Sequence, residues 1–485
     1  MLECALFING ERRAPAGGQW HDVRDPADGT LIGRTALADA ADVDVAVAAA
    51  NDAAPAWADT HADARARILR RAADLIEARI DDIATLLTRE QGKPLPDSRK
   101  ETAFGIKVLR YYAEEGRRIG GSLRPSASGD VKNVVSYHPV GVVAAIVPWN
   151  YPVDLYCWKV GPALAAGCPI IVKPPHETPF AIDRVVDCLT EAGLPNGVLA
   201  NLPGTGPVAG QALSEHPGIA CISATASIAA GQDIMRRAAV NLKRISLELG
   251  GHAPFIVMPD ADIEVAAKAA MRRSFSNMGQ ICITVNRILT HERVHDEFLD
   301  ALAAETRAIE LGRGLEPGVA YGPVTNESVI YRVQAHIEDA VKKGATIVCG
   351  GERATEGELA RGHFFKPTLI DNASLDSLPM REETYGPLAA VRSCRTIDEI
   401  LRISNSLRFG LAAYVYSEDL ERAWALADRL DFGGVGINVS DTSELQAPFG
   451  GWKLSGVGRE LGREGLETFL EPKHVRIRVT PYRPR

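Results

Sequence analysis

From residue 141 onward the chain alternates short β-rich runs with helical patterns, and this alternation limits the fold more than any other feature of its 485 residues. Residues 142–147, 170–172, 198–202, 219–222 and 244–247 read as strands, with helical stretches between them. Strand and helix in alternation imply parallel strands joined by crossover helices, hence a doubly wound α/β sheet. Near residue 250 a second unit repeats the logic, with 255–258, 288–290 and 345–349 as its strands. Thr178 before Pro179 reads as a capping hydroxyl followed by a proline at the first helical position.

The segment before this region has a different texture. Residues 42–114 are Ala-rich with apolar residues at helical spacing, as in 62–76 and 80–90, and show no chemistry of their own. A Gly- and Ser-rich stretch at 120–129 precedes the alternating segment 132–138, which suggests a hairpin leaving the main body, the kind of arm that serves oligomerisation. At the other end, 473–479 alternates apolar with basic residues and reads as an edge strand seeking a partner on another subunit, ahead of a closing Pro-Tyr-Arg-Pro-Arg.

Composition narrows the function. The formal net charge of -8 has the wrong sign for holding a phosphate backbone, which argues against nucleic-acid partners. The most apolar region, 141–172, is interrupted by Pro148, Asn150, Asp154 and Lys159, whereas a membrane span wants about 20 unbroken apolar residues. Residues 1–10 place Glu3 where a signal peptide needs positive charge, so they read as a strand, and a cytoplasmic location is expected. The eight cysteines are scattered without Cys-x-x-Cys pairs or zinc-like His spacing, so they read as reduced thiols and no metal is expected.

Three short segments carry candidate chemistry. Cys282 closes the run Phe275-Ser276-Asn277-Met278-Gly279-Gln280-Ile281-Cys282, after a Gly-containing turn whose amides can face a thiolate; alone it equally fits an inert core thiol. Glu248, at a strand end before Leu249-Gly250-Gly251, is a candidate general base or a solvated acid beside a turn. Asn150, between Pro148-Trp149 and Tyr151-Pro152, is an oxyanion donor or an ordinary turn asparagine.

Taken together and in order, these segments resemble the aldehyde dehydrogenase superfamily over nearly the whole chain. The match extends through Lys173-Pro174, Gly204-Thr205-Gly206 with Gly210, Glu383 with Gly386-Pro387, Asn438, and Pro448-Phe449-Gly450-Gly451 through Ser455-Gly456. The framework at 161–168 and 253–262 is most similar to succinate-semialdehyde dehydrogenases. The resemblance implies a Rossmann-like cofactor domain (1–122 and 141–249), an α/β catalytic domain (250–440), a small β oligomerisation arm (123–140 and 466–485) and a substrate loop returning to the cofactor domain (441–465). It implies a homodimer or homotetramer.

It also implies roles. Cys282 adds to the aldehyde, and the Asn150 amide with the Cys282 backbone N–H holds the oxyanion. Glu248 activates water to hydrolyse the thioester, and Lys159 with Glu460 relays the proton outward. The cofactor, NADP or NAD, is expected against Val147, Pro148, Trp149, Lys173, Gly206, Ser227, Gly231, Glu383 and Tyr385. Two departures from the family pattern bear on it. Ala226 stands where a glycine often precedes Ser227. His176 replaces a glutamate that would repel a 2′-phosphate, so acceptance of NADP is expected, with Glu177 available to serve NAD.

For the aldehyde, Trp158 and Ser276 occupy positions where semialdehyde enzymes carry arginines. A pocket of Leu155, Tyr156, Trp158, Ser276, Ile281, Ile283 and the loop 440–444, Ser443 included, suits a neutral or hydroxylated aldehyde. The alternatives are a semialdehyde held by some other cation and a CoA-acylating dehydrogenase; retention of Glu248 argues against the latter.

Overall fold

In the computed structural model, which describes residues 1–479, the expected alternation becomes two large sheets. The first has eight strands in the order Gly456–Val457, Arg244–Leu249, Cys221–Ala226, Val143–Ile146, Ile170–Lys173, Leu199–Asn201, Leu6–Ile8 and Glu11–Arg13. Its five central strands are parallel, and the flanking ones run antiparallel. The second has seven strands, in the order Thr346–Cys349, Thr368–Asp371, Leu388–Cys394, Val285–His291, Ala253–Val257, Ala412–Tyr416 and Gly434–Ile437, all parallel except the first. The central strands, such as Val143–Ile146 and Ile170–Lys173, are buried throughout, which is why they read as continuous apolar runs without alternation.

The helices Ala62–Ala78, Ile80–Gln91 and Leu95–Glu115, close to the expected positions, pack on one another and on the helices Pro152–Ala166 and Phe180–Glu191. The helix Phe180–Glu191 starts differently from the expectation. Thr178 does not cap it, its buried hydroxyl having no partner. The Glu90 carboxylate accepts from the N–H groups of Phe180 (2.7 Å) and Ala181 (2.9 Å) instead. An acid from another helix thus does the capping, and burial pushes its pKa up to about 8.

The tail is an edge strand, as its alternation suggested, with one partner in its own chain. Leu470–Arg478 pairs antiparallel with Val131–Pro139 of the same chain, which pairs in turn with Ser122–Arg124. The tail strand therefore finds its partner intramolecularly, and the three strands form one projecting sheet with Leu123, Val475 and Ile477 exposed. The closing Pro-Tyr-Arg-Pro-Arg lies outside the described residues. Among those residues no helix is long and apolar enough to cross a membrane.

Candidate active site

The first sheet gathers the candidate residues at one edge. Trp149 and Asn150 follow the strand Val143–Ile146, Lys173 ends Ile170–Lys173, Ser227 follows Cys221–Ala226, and Glu248 lies near the end of Arg244–Leu249. Four neighbouring parallel strands therefore deliver them from their carboxyl ends, where ligands bind in open α/β sheets.

Cys282 arrives from the other unit. The helix Ile263–Phe275 stops, and Asn277 (φ 49°) and Met278 (φ 53°) both take left-handed backbone ahead of Gly279 (φ 72°). Such backbone costs a non-glycine residue on the order of 1–2 kcal/mol and needs outside support. Asn277 receives that support: its Nδ2 donates to the Asn150 carbonyl at 3.1 Å, and its Oδ1 accepts from Gln91 Nε2 at 3.0 Å. Gly279 admits no side chain, since an added Cβ would lie 2.2 Å from the Gly386 carbonyl oxygen.

The same network fixes Asn150. Lys93 Nζ donates to its carbonyl at 2.7 Å while ion-paired with Glu101, both side chains being fully buried. The Asn150 Nδ2 donates to the Gln280 carbonyl at 3.1 Å, which leaves one amide proton uncommitted two residues from Cys282. The Cys282 backbone N–H donates to no carbonyl or side-chain oxygen among the described residues.

Cys282 reaches the surface of a cavity of about 280 Å³ that Asn150, Glu248 and Glu460 also line. Burial pushes its thiol pKa up, with the Glu383 and Glu248 carboxylates adding to the shift. Glu248 is pushed well above the carboxylate range by burial and by the charge of Glu460, against the pull of Lys159. Neither Glu248 oxygen has a hydrogen-bond partner among the described residues. Lys159 is ion-paired with Glu460 and donates to Thr225 Oγ1 at 2.8 Å, while Ser223 Oγ donates to Glu460 at 3.2 Å; Glu460 Oε2 stays unpartnered.

Of the expected substrate residues, Leu155, Trp158, Ser276, Ile281, Ile283 and Ser443 line the cavity. Tyr156 does not: it is buried in the core, and Tyr151 lines the wall in its place. Of the loop 440–444 only Asp441 and Ser443 reach the lining. The cavity brings in residues that sequence reasoning missed: Phe104 and Lys100 from a helix that had shown no chemistry, Asp154, Phe449, and Arg272 with Arg273. Arg273 is buried, donates to the Ser440 carbonyl and pairs with Asp441 at 2.8 Å. Trp158 Nε1 donates to Asp154 at 2.7 Å, and its ring meets Phe449 edge-on at 5.1 Å.

Several of the expected cofactor residues sit at or just beyond the carboxyl ends of the same strands. Lys173 is buried, with Nζ donating to the carbonyls of Pro174 (3.1 Å) and Gly204 (3.0 Å), and desolvation lowers its pKa to about 8. Val147 is tied to Lys173 by a backbone hydrogen bond of 3.1 Å. Trp149, beyond Pro148, meets Tyr385 edge-on at 5.6 Å. Glu383 accepts from the Gly251 N–H at 3.0 Å, and burial raises its pKa to about 7. Gly250 leaves it room, since an added Cβ would stand 2.3 Å from its Oε2. Ser227 caps the helix Ile228–Ala239, and its hydroxyl is occupied by the Ala230 N–H. Gly206 stands open, whereas Gly231 is buried against Leu249 and serves helix packing. His176 lies beside Glu177, Nδ1 to Oε2 3.3 Å.

A thiol set against the carboxyl ends of a doubly wound sheet, with a buried acid and an uncommitted amide facing it, is the arrangement of a dinucleotide-dependent oxidoreductase working through a covalent thioester. The comparisons with known proteins give the class its family. The chain belongs to the aldehyde dehydrogenase family, whose model matches residues 13–475. It is 39% identical to the NADP-dependent succinate-semialdehyde dehydrogenase of Escherichia coli K12, with 97% of each chain covered. To a glutarate-semialdehyde dehydrogenase of Pseudomonas putida it is 40% identical, over 98% of this chain and 97% of that one. The crystal structure of Staphylococcus aureus betaine aldehyde dehydrogenase with NAD+ superposes with a TM-score of 0.96 at 34% identity, covering 99% of this chain and 95% of that one. The protein is an NAD(P)-dependent, non-acylating aldehyde dehydrogenase with the fold expected from its sequence.

Proposed function

We propose that Cys282, Asn150 and Glu248 carry the reaction and that the preferred aldehyde is neutral or hydroxylated. The observation that carries the first part is the convergence of an uncommitted Asn150 amide proton, an uncommitted Cys282 N–H and an unpartnered Glu248 on one cavity. Cys282 releases its thiol proton to solvent water in the cavity, the thiolate Sγ bonds to the aldehyde carbon, and the two N–H groups receive the oxyanion. NAD or NADP, when bound, supplies the hydride acceptor, and the residues present fit it: Lys173 and Glu383 for the two riboses, Ser227 with the following helix start and Gly206 for the diphosphate, Trp149 and Tyr385 alongside. Collapse of the thiohemiacetal leaves a thioester on Sγ. Glu248 takes a proton from water, which attacks that thioester and releases the acid. The chain Glu460, Lys159, Thr225 and Ser223 offers the proton a way out.

His176 faces the adenosine ribose in this reading, so NADP is accepted, with Glu177 able to receive the hydroxyls of NAD. An NADP efficiency under about a hundredth of that for NAD sinks this assignment. The eight-stranded unit holds the cofactor and the seven-stranded unit the nucleophile. The projecting sheet, with its exposed Val475 and Ile477, seats on another copy of the chain in a homo-oligomer.

For the aldehyde, the hydrogen-bonded Asp154–Trp158 pair fills the position of an anion anchor and offers a carboxylate no cation. One observation favours the second reading, a semialdehyde: Arg272 lines the cavity and forms no ion pair among the described residues. Comparing a carboxylated aldehyde with its uncharged homologue decides between them.

Rapid mixing tests the chemistry. Glu248→Gln retains a burst of reduced cofactor while steady turnover falls by ~10²–10⁴, and Cys282→Ala gives neither burst nor turnover. In the wild type the rate of thioester hydrolysis climbs with pH, because burial keeps Glu248 protonated at low pH and only its carboxylate form is a base; in Glu248→Gln the climb is gone. Equal loss of burst and turnover in the glutamate variant reassigns the base.

A further inference from the structure

We infer that His21 is a further residue determining cofactor choice: with His176 it forms an imidazole pair that receives a 2′-phosphate, and binding of that phosphate brings a proton onto the pair. The inference rests on the proposed placement of His176 at the adenosine ribose.

His21 comes from a part of the chain with no expected role. It lies on the strand Trp20–Arg24, opposite Thr35 in the antiparallel pairing with Leu31–Ala36. Its ring meets that of His176 edge-on, with centroids 4.8 Å apart and planes at 80°. Among the described residues Glu177, at 3.3 Å, is the one polar partner of His176, and His21 forms no side-chain hydrogen bond. The pair thus has ring nitrogens to spare next to the buried Lys173 ammonium.

Charge explains why a phosphate would complete this cluster. Around His176 stand Glu177 on the same loop, Lys173 at the end of the neighbouring strand and His21 across from it. Along the His21 strand, Arg24 pairs with Asp22, and Arg34 is engaged by Glu3 and the Trp20 ring. Burial lowers the pKa of His176; His21 and Lys173 lower it further, and Glu177 opposes them. A proton on the His176 ring therefore meets Lys173 and the His21 ring without sufficient compensation. A phosphate dianion supplies that compensation, and NAD, lacking it, leaves His176 neutral. Protonation and NADP binding then reinforce each other reciprocally, so NADP affinity falls relative to NAD affinity as pH rises.

Fluorescence titration of NADP and NAD between about pH 7 and 9, where the 2′-phosphate is already a dianion since its second pKa lies near 6, tests this directly. The expected result is a ratio of NADP Kd to NAD Kd that rises with pH, approaching about tenfold per unit, with the titration of Lys173 at the ribose acting on both cofactors. His21→Gln weakens NADP by about fivefold or more and reduces the slope, with NAD binding unchanged as the sign of an intact fold. Calorimetry in two buffers of different ionisation enthalpy shows more proton uptake with NADP than with NAD. If His176→Gln loses NADP affinity and slope while His21→Gln keeps both, His176 acts alone and the inference about His21 fails. If neither substitution changes the NADP-to-NAD ratio, the placement of His176 fails and the inference with it.

Discussion

Asn150 and Trp158 stand close together in sequence, at and within the helix Pro152–Ala166, yet they are held in different ways. The Asn150 carbonyl and amide are braced by Lys93, Asn277 and Gln280, from two remote segments of the chain. Trp158 is braced by Asp154 one turn away and by the rings of Phe104 and Phe449. The floor of the cavity is thus cross-linked to both large units, whereas its wall is assembled from neighbours and from charge pairs such as Arg273 with Asp441. Disturbing the floor should change the rate for every aldehyde alike. Disturbing the wall should change which aldehyde is preferred.

Lys93→Met attacks the floor hardest. It leaves the fully buried Glu101 carboxylate unpaired, an arrangement that typically costs about 3–5 kcal/mol, and it removes a donor from the Asn150 carbonyl. A lowered unfolding midpoint is expected, together with a kcat loss approaching ~10² as Asn150 shifts. The ratio of kcat/KM between two aldehydes should stay put. A changed ratio with unchanged stability would show that the network belongs to the wall.

Asn150→Ala is a cleaner break of the same floor. It removes one oxyanion donor and should lower kcat by ~10²–10³ with KM little moved, equally for charged and uncharged substrates, as read from steady-state kinetics. Unequal losses would mean that the amide touches the variable part of the substrate.

The contrast also explains what could be read from the sequence. The parallel strands were legible because buried strands are apolar runs bounded by helices, and Cys282, Glu248 and Asn150 stood out by the order of their motifs. The bracing was not. Lys93, Gln91 and Glu101 sit on an Ala-rich helical stretch whose periodicity describes only the face each helix buries, and nothing local shows that Lys93, paired with Glu101, reaches Asn150 or that Gln91 reaches Asn277. Glu90 escaped notice for the same reason, since a cap supplied from another helix leaves no mark beside the helix it caps, whereas Thr178 supplied the local pattern without the bond. The tail strand advertised an unpaired edge, but which strand pairs with it depends on tertiary proximity. Tyr156 illustrates a finer limit: neighbouring residues of one helix point to different faces, so Leu155 reaches the cavity and Tyr156 the core.

Asp441→Asn probes the wall and should give the smallest effect. Asp441 is partly exposed, so its pairing with the buried Arg273 is discounted by solvent to about 0.2–1 kcal/mol, and the fold should tolerate the change. Electrostatics decides the direction. Neutralising Asp441 removes a negative charge from the lining and leaves the Arg273 charge less compensated, so a carboxylated aldehyde should gain over its uncharged homologue. The gain should reach at most about fivefold in kcat/KM, which is the same energy expressed as a ratio. The burst of reduced cofactor with the uncharged aldehyde should be unaltered. A gain for the uncharged aldehyde instead would mean that Arg273 turns away from the substrate, and a fall in the burst would tie the loop around Asp441 to the floor.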